Sequence, residues 1–294
     1  MRVVSDESGT SVFVRQSWLN DAMMCPERSR LLKLFPESRR ENDSAMMGTA
    51  VHKGIEAVLT GGVSSADDAG EFAVGWFKQR RQELIDSGRD VFVTNTNPLQ
   101  WYSHIDTMAK AWFRDVSPLV ERGGLVEHQF CQQVATVDGP FNQPYNLFFE
   151  GTIDYIAPSP ESGLVTIWDW KTSSRKYYEA EKQSRDVQSA VYVSAIVASG
   201  AAEFPVGFKF GVMTRSGSSV GQIVSVLRSE EHYKWIVSQA SSVVNGFLLS
   251  ERFLPDGSWM RNDQHHLCSA RWCPVWSKCK GSFMGHDAEE AEIG

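Results

Sequence analysis

The chain of 294 residues has no long apolar segment, no internal repeat and no excess of basic charge. No run of about 18 apolar residues occurs, so the sequence predicts no membrane span. The first residues, MRVVSDESGT, place acids where a secretory signal needs its apolar segment. With 29 Lys and Arg against 36 Asp and Glu, the net charge of −7 argues against indiscriminate nucleic-acid binding. We expect a cytoplasmic protein.

Cysteine is scarce, with five residues in the chain. An odd number of cysteines without a secretory signal argues against a disulfide framework and favours free thiols, a metal or a cluster. Cys268, Cys273 and Cys279 lie close together in the sequence, and Cys25 stands far from them. Four thiolates are the usual ligands of an iron–sulfur cluster or a structural zinc ion. Cys131 lies in a predicted strand and is expected to be buried.

Hydropathy patterns predict one α/β domain over residues 1–294. Helical spacing dominates 17–122, including one helix over about 98–120. From residue 124 the period changes to two, and the elements follow the order βββαββα over 124–250, with a single helix over about 181–198. Residues 251–280 form a cysteine-rich part, and the acidic residues 285–294 are expected to be a disordered tail.

Two acidic residues are predicted to face each other on neighbouring strands. Alternation places Asp154 on one face of the first strand, and Asp169 and Lys171 on one face of the next. Two partly buried carboxylates repel each other unless positive charge lies between them, and a divalent ion with oxygen ligands supplies it. Lys171 would orient an attacking water or stabilise charge on a phosphorane-like transition state.

Four short motifs occur in a fixed order: GTAVHKGIE (48–56), EGTID (150–154), DWKT (169–172) and QSAVY (188–192). The last motif places Gln188 and Tyr192 on one helical face, where they could orient Lys171 or hold substrate phosphate. The set resembles the RecB-like branch of the PD-(D/E)XK nuclease superfamily, which includes CRISPR-associated and AddB-type exonucleases. The resemblance spans roughly residues 17–280. It implies a restriction-endonuclease-like core in which helices flank a central mixed β-sheet.

The resemblance also implies roles for individual residues. The implied ligands of Mg²⁺ or Mn²⁺ are His52, Asp154 and Asp169. The implied catalytic groups are Lys171, Asp154, Asp169, Gln188, Tyr192 and, on an earlier strand, Glu127. An imidazole ligand makes Mn²⁺ better tolerated than it is in an all-oxygen site. A lone His beside an apolar helical stripe is more often a core residue, so the metal role of His52 depends on the whole motif set.

The cysteines extend the resemblance. A subset of RecB-like nucleases holds a 4Fe–4S cluster with one N-terminal and three C-terminal cysteines, which joins the two ends of the chain. The matching residues here are Cys25, Cys268, Cys273 and Cys279. The first C-terminal pair has the spacing C-x4-C where the family has C-x2-C, and Zn²⁺ remains the alternative.

The implied function is a metal-dependent DNA exonuclease that acts on single-stranded DNA or free DNA ends in DNA repair, recombination or processing. Its partners would be DNA and a helicase, a recombinase or an adaptation complex. A basic track after the catalytic strand is predicted to contact phosphates and consists of Arg175, Lys176, Lys182 and Arg185. Two alternatives stay open, namely a structure-selective endonuclease on the same core and a non-cleaving DNA-binding subunit of a larger complex.

Overall fold

The computed structural model describes residues 1–7, 9–89, 91–93, 96–158, 165–184, 186–215, 218–254 and 259–284. In these residues the α-helices are α1 (Gln16–Met24), α2 (Pro26–Leu34), α3 (Asp43–Leu59), α4 (Ala66–Asp86), α5 (Trp101–Ala111), α6 (Glu179–Ser184), α7 (Val187–Ala198), α8 (Glu230–Phe253) and α9 (Trp276–Met284). The strands are β1 (Arg2–Asp6), β2 (Gly9–Arg15), β3 (Leu125–Val137), β4 (Tyr145–Ala157), β5 (Thr166–Ser173), β6 (Val206–Thr214) and β7 (Gly221–Arg228). The acidic segment 285–294 lies outside the described residues.

The strands form a mixed sheet. They pair in the order β1-β2-β4-β5-β6-β7, and β3 pairs with β4 beside this path. β2 runs parallel to β4 and β5 parallel to β6, whereas the pairs β1–β2, β4–β5 and β6–β7 are antiparallel. The α/β fold with a central mixed sheet and flanking helices is therefore confirmed.

Contacts within the chain group its residues into two compact units. Unit 1 contains Met1–Arg40, Cys131–Glu150 and Lys234–Gly294, and unit 2 contains Glu41–Phe130 and Gly151–Tyr233. The single domain expected from the sequence stays a prediction. Among the described residues, no helix has both the length and the apolar character needed to cross a membrane.

In unit 2, the helices α3, α4 and α5 pack on one another, and α3 and α5 contact β5 and β6 respectively. Asn42 caps the N-terminus of α3, where its side chain accepts the Ala45 N–H, and Ser65 caps α4, where its side chain accepts the Asp68 N–H. Such N-caps are worth about 1 kcal/mol each. The core includes Trp112, which meets Trp170 edge-on with ring centroids 5.4 Å apart.

Two helices expected to be continuous are interrupted. After α5 the chain forms a π-helical turn over Trp112–Val116 and a 3₁₀ turn over Ser117–Leu119, because Pro118 cannot donate a helical hydrogen bond. The expected helix over 181–198 divides into α6 and α7 because Asp186 is extended and caps α7. Both interruptions lie in unit 2.

Unit 1 brings the N-terminal and C-terminal segments into a common core. The Phe247 ring lies between two tryptophans, with centroids 5.0 Å from Trp18 and 4.9 Å from Trp259. This core therefore connects residues far apart in the sequence.

Cys131, expected to be buried, is exposed, because it falls on the solvent-facing side of the alternating β3.

The close packing of α3 on α4 is testable at Gly54. A Cβ on this residue would lie 2.9 Å from the Ala69 carbonyl oxygen and 3.1 Å from the Ala73 Cβ, so the helices would have to separate. We expect Gly54→Ala to lower the free energy of unfolding in urea by about 1–3 kcal/mol. The matched control is Gly75→Ala in α4, where a Cβ meets open space, and it should raise that free energy by about 0.5–1 kcal/mol. Equal effects of the two substitutions would contradict this packing.

Candidate active site

The β4–β5 hairpin brings two carboxylates together in unit 2. Tyr155 pairs with Trp168, so the next residues along this antiparallel register are Asp154 and Asp169. Asp154 Oδ2 accepts a hydrogen bond from the Trp170 N–H at 2.7 Å. Asp169 is 1% exposed. The structure thus places the two acids where the alternation of the strands predicted them.

Lys171 compensates the charge of this acidic pair. Its Nζ lies 2.6 Å from Asp169 Oδ2. Burial alone would lower the pKa of Lys171, but the attraction of Asp169 and Asp154 outweighs burial and raises it. Lys171 is therefore charged at neutral pH, inside a site that is largely shielded from water.

The acids themselves resist ionisation. Burial raises the pKa of Asp169 to about 6, against the attraction of Lys171, and the neighbouring charge of Asp154 adds to the rise. Burial also raises the pKa of Asp154, against Lys171 and the Trp170 N–H. Further positive charge near these two buried carboxylates would lower their pKa values and so stabilise their ionised form.

A close approach of α3 to β5 positions His52. A Cβ on Gly48 would lie 3.0 Å from the Thr172 Oγ1, so glycine allows the helix to come near the strand. One helical turn later, His52 Nδ1 lies 3.6 Å from Asp154 Oδ2. Burial lowers the pKa of His52 to about 4, and the positive charge of Lys171 adds to this effect. The imidazole is therefore neutral at pH 7, the form that binds metal ions.

Glu127 on β3 also lies near the acidic pair. Burial raises the pKa of its carboxyl, and the charge of Asp154 adds to the rise, while Lys53 and His52 oppose it. The backbone of Glu127 is left-handed, with φ of 50°. A non-glycine residue adopts this conformation at a cost, and in a strand it is typical of a bulge that redirects a side chain.

The helix α7 contacts the acidic pair through Gln188. Its Nε2 donates to Asp169 Oδ1 at 2.6 Å and to the Tyr192 hydroxyl at 3.2 Å. Burial raises the pKa of Tyr192 to about 12, and the charge of Asp169 adds to it. The ring of Tyr192 packs edge-on against Phe130, with centroids 5.5 Å apart. Gln188 therefore orients Asp169. The sequence had suggested instead that Gln188 orients Lys171 or holds substrate phosphate.

Comparison with known sequences identifies the family that carries this arrangement. The sequence model of the PD-(D/E)XK nuclease superfamily matches residues 16–280. The chain belongs to the PD-(D/E)XK nuclease superfamily. Enzymes of this superfamily usually use Mg²⁺ or Mn²⁺. No curated protein matches the chain significantly.

The fold of this PD-(D/E)XK chain is also similar to a solved structure. That structure is described as a "Putative exonuclease" from Eubacterium rectale. It matches with a TM-score of 0.55 and 12% sequence identity, over 87% of this chain and 86% of that chain. At this identity the likeness concerns the fold alone.

A buried arginine contacts the helix that carries Gln188 of the PD-(D/E)XK site, and the sequence did not predict it. Arg228 at the end of β7 is fully buried. Its guanidinium donates to Ser189 Oγ at 2.9 Å and to the carbonyl oxygens of Lys182 and Gln183 at 2.5 and 3.0 Å. Arg228 therefore joins the end of α6 to the first turn of α7, which carries Gln188. An arginine at the end of a predicted edge strand gives no signal of burial in a single sequence.

The predicted basic track of the nuclease divides into two kinds of residue. Arg175 and Lys176 are exposed directly after β5. Lys182, in contrast, lies 2.7 Å from Asp186 Oδ2 and 4.6 Å from the ring centroid of Tyr177, so protein groups already surround its charge. Arg185 lies outside the described residues.

The predicted cluster cysteines of the nuclease meet in unit 1. A cavity of about 30 Å³ is lined by Cys25, Cys268, Cys273 and Cys279. Val275 is buried beside it, and Trp276 also lines it. Burial raises the pKa of the thiols at positions 268, 273 and 279. The structure therefore brings Cys25 together with three cysteines that lie more than 200 positions later in the sequence.

Within the described ranges, no group of three or more His, Cys, Asp or Glu side chains is arranged to hold a metal ion. At the acidic pair, protein donors contact the carboxylates. The Trp170 N–H binds Asp154, and Gln188 and Lys171 contact Asp169. The buried Asp169 Oδ2 is the oxygen that forms the ion pair with Lys171, at 2.6 Å.

Proposed function

We propose that this PD-(D/E)XK protein is a metal-dependent DNA exonuclease of the RecB-like branch. It would hydrolyse phosphodiester bonds on single-stranded DNA or at free DNA ends, in DNA repair, recombination or processing. The observation that carries the proposal is the buried pair of Asp154 and Asp169 with Lys171 beside it. Opposed acids and an ammonium group suit a divalent ion and a phosphate, and a binding module has no need of such a costly arrangement.

The residues around the acidic pair fit a divalent ion. Those that would hold Mg²⁺ or Mn²⁺ are His52, Asp154 and Asp169. Carboxylates and a neutral imidazole are suitable ligands for such an ion. When bound, such an ion neutralises charge on phosphoryl oxygens and lowers the pKa of a water molecule.

The protein side chains supply the remaining chemistry. The Lys171 ammonium donates a hydrogen bond to the attacking water or to the phosphate, and so stabilises the negative charge of the transition state. Gln188 fixes Asp169 through Oδ1, and Lys171 contacts Oδ2 of the same carboxylate. His52 stays neutral and therefore does not repel the ion. Each group is held before the substrate arrives, which lowers the cost of reorganisation.

Cleavage of end-labelled DNA tests this proposal. Linear single strands, linear duplexes and closed circles are incubated with Mn²⁺, Mg²⁺ or EDTA. We expect metal-dependent loss of linear single strands, and a rate that falls by about 100-fold or more in Lys171→Ala and in Asp169→Asn. The matched control is Lys110→Ala, because Lys110 pairs with Asp67 and Asp106 on the surface of the helices, and it should keep the rate.

The same assay separates the alternatives. Closed circles cut as fast as linear DNA would contradict the exonuclease and indicate a structure-selective endonuclease. DNA binding without cleavage under any metal would indicate a non-cleaving subunit. The position of the label that is released first gives the polarity of the reaction.

A second part of the proposal concerns unit 1, where Cys25, Cys268, Cys273 and Cys279 would hold a 4Fe–4S cluster. The support is that the four thiols line one cavity and that apolar residues pack against two of them. Both chain ends belong to the same unit, so a cluster would link them. Four thiolates fit the cluster or, as the alternative, one Zn²⁺.

Anaerobic purification followed by iron, sulfide and zinc analysis tests the cluster. We expect about four iron and four sulfide per chain. Cys268→Ser should lose iron and unfold at a lower temperature, because cluster binding contributes to folding. Cys131→Ser is the matched control, since Cys131 is an exposed cysteine of the same unit, and it should keep both properties. One zinc per chain without sulfide would contradict the cluster.

A further inference from the structure

The loop between β5 and α6 carries an exposed aromatic ring shortly after the proposed catalytic strand. We infer that Tyr178, together with Arg175 and Lys176, binds an unpaired nucleotide of a single DNA strand, with the base stacked on the Tyr178 ring. This inference rests on the proposed nuclease function and names its substrate class as single-stranded DNA. The loop, residues 174–178, lies wholly in unit 2.

The residue before Tyr178 anchors the loop to the sheet. The Tyr177 N–H donates to the Gln222 Oε1 at 3.0 Å, and the Gln222 Nε2 donates to the Tyr177 carbonyl at 2.9 Å. The ring of Tyr177 packs edge-on against Phe210, with centroids 6.1 Å apart. Its main chain and side chain are therefore both fixed by β6 and β7.

Tyr178 has a fixed main chain but a free ring. Its carbonyl accepts the Lys182 N–H at the start of α6. The residue is 70% exposed, and its side chain makes no ring contact or hydrogen bond within the described residues. Stacking of another flat ring on an aromatic ring that is exposed to water is favourable. Because the main chain is already ordered on both sides, stacking on this ring costs little conformational entropy.

Two cations shortly before Tyr178 in the sequence are available for phosphate. The side chains of Arg175 and Lys176 are exposed and have no carboxylate partner in the part of the chain described. Lys171 and Lys182, by contrast, are each paired with an aspartate. In a protein of net charge −7, unpaired cations four and five positions after Lys171 are groups that bind phosphates readily.

The acids that follow limit this surface. Glu179 and Glu181 lie in the first turn of α6, after Tyr178. Their negative charges would repel phosphates, so the surface should contact about one or two nucleotides. Stacking also requires an unpaired base, because the bases of a duplex already stack on one another. The surface should therefore favour single strands over duplexes.

Fluorescence anisotropy in a Lys171→Ala background, in which we expect cleavage to be slower by about 100-fold or more, tests the inference. The probes are a labelled oligothymidylate of about 12 nucleotides and a hairpin duplex with a similar number of phosphates. We expect Tyr178→Ala to weaken single-strand binding by about 5- to 150-fold and to leave duplex binding unchanged. Tyr178→Trp should keep single-strand binding. The matched control is Leu99→Ala, at a residue of the same unit that is 92% exposed, and it should change neither affinity.

Unchanged single-strand binding in Tyr178→Ala would overturn the inference, and so would an equal loss on the duplex. Cleavage by the protein with Lys171 intact separates this failure from that of the proposed function. If that protein degrades single strands and Tyr178→Ala does so with the same KM, the inference is wrong and the nuclease stands. If it cleaves no DNA while binding still depends on Tyr178, the inference stands and the nuclease is wrong.

Discussion

The structure of unit 2 depends on the burial of two opposed carboxylates. Asp154 and Asp169 are adjacent on antiparallel strands, and burial raises the pKa of both. Such a pair costs free energy unless hydrogen bonds and positive charge compensate it. Lys171 supplies that charge from the same strand as Asp169, at 2.6 Å. In the proposed function, a divalent ion would supply the further positive charge that the ionised pair lacks.

Separate elements hold this pair in place, and each does so for a local reason. Gly48 lets α3 approach β5, which positions His52. α7 contributes Gln188 to Asp169. Arg228, with no solvent exposure, binds two main-chain carbonyls at the end of α6, the helix that precedes α7. The chemistry of the acidic pair and the order of the surrounding helices are thus parts of one hydrogen-bonded arrangement.

Much of the fold and the candidate site was predictable, because both follow from short periodic patterns. The alternation of β4 and β5 placed Asp154 and Asp169 together, and helical spacing placed Gln188 on the inner face of α7. The burial of Arg228 was not predictable, since its acceptors are carbonyls about 45 positions away. The left-handed backbone of Glu127 likewise depends on tertiary packing and leaves no mark in a single sequence.

The central claim is that the Asp154 and Asp169 pair binds one divalent cation. Titration of the metal-free protein with Mn²⁺ at neutral pH, followed by electron paramagnetic resonance of the free ion, tests it most directly. The account expects a Mn²⁺ site that Asp169→Asn weakens by at least about 10-fold, while Lys171→Ala keeps it because Lys171 is not a ligand. Equal Mn²⁺ affinity in Asp169→Asn and the unaltered protein would contradict the account.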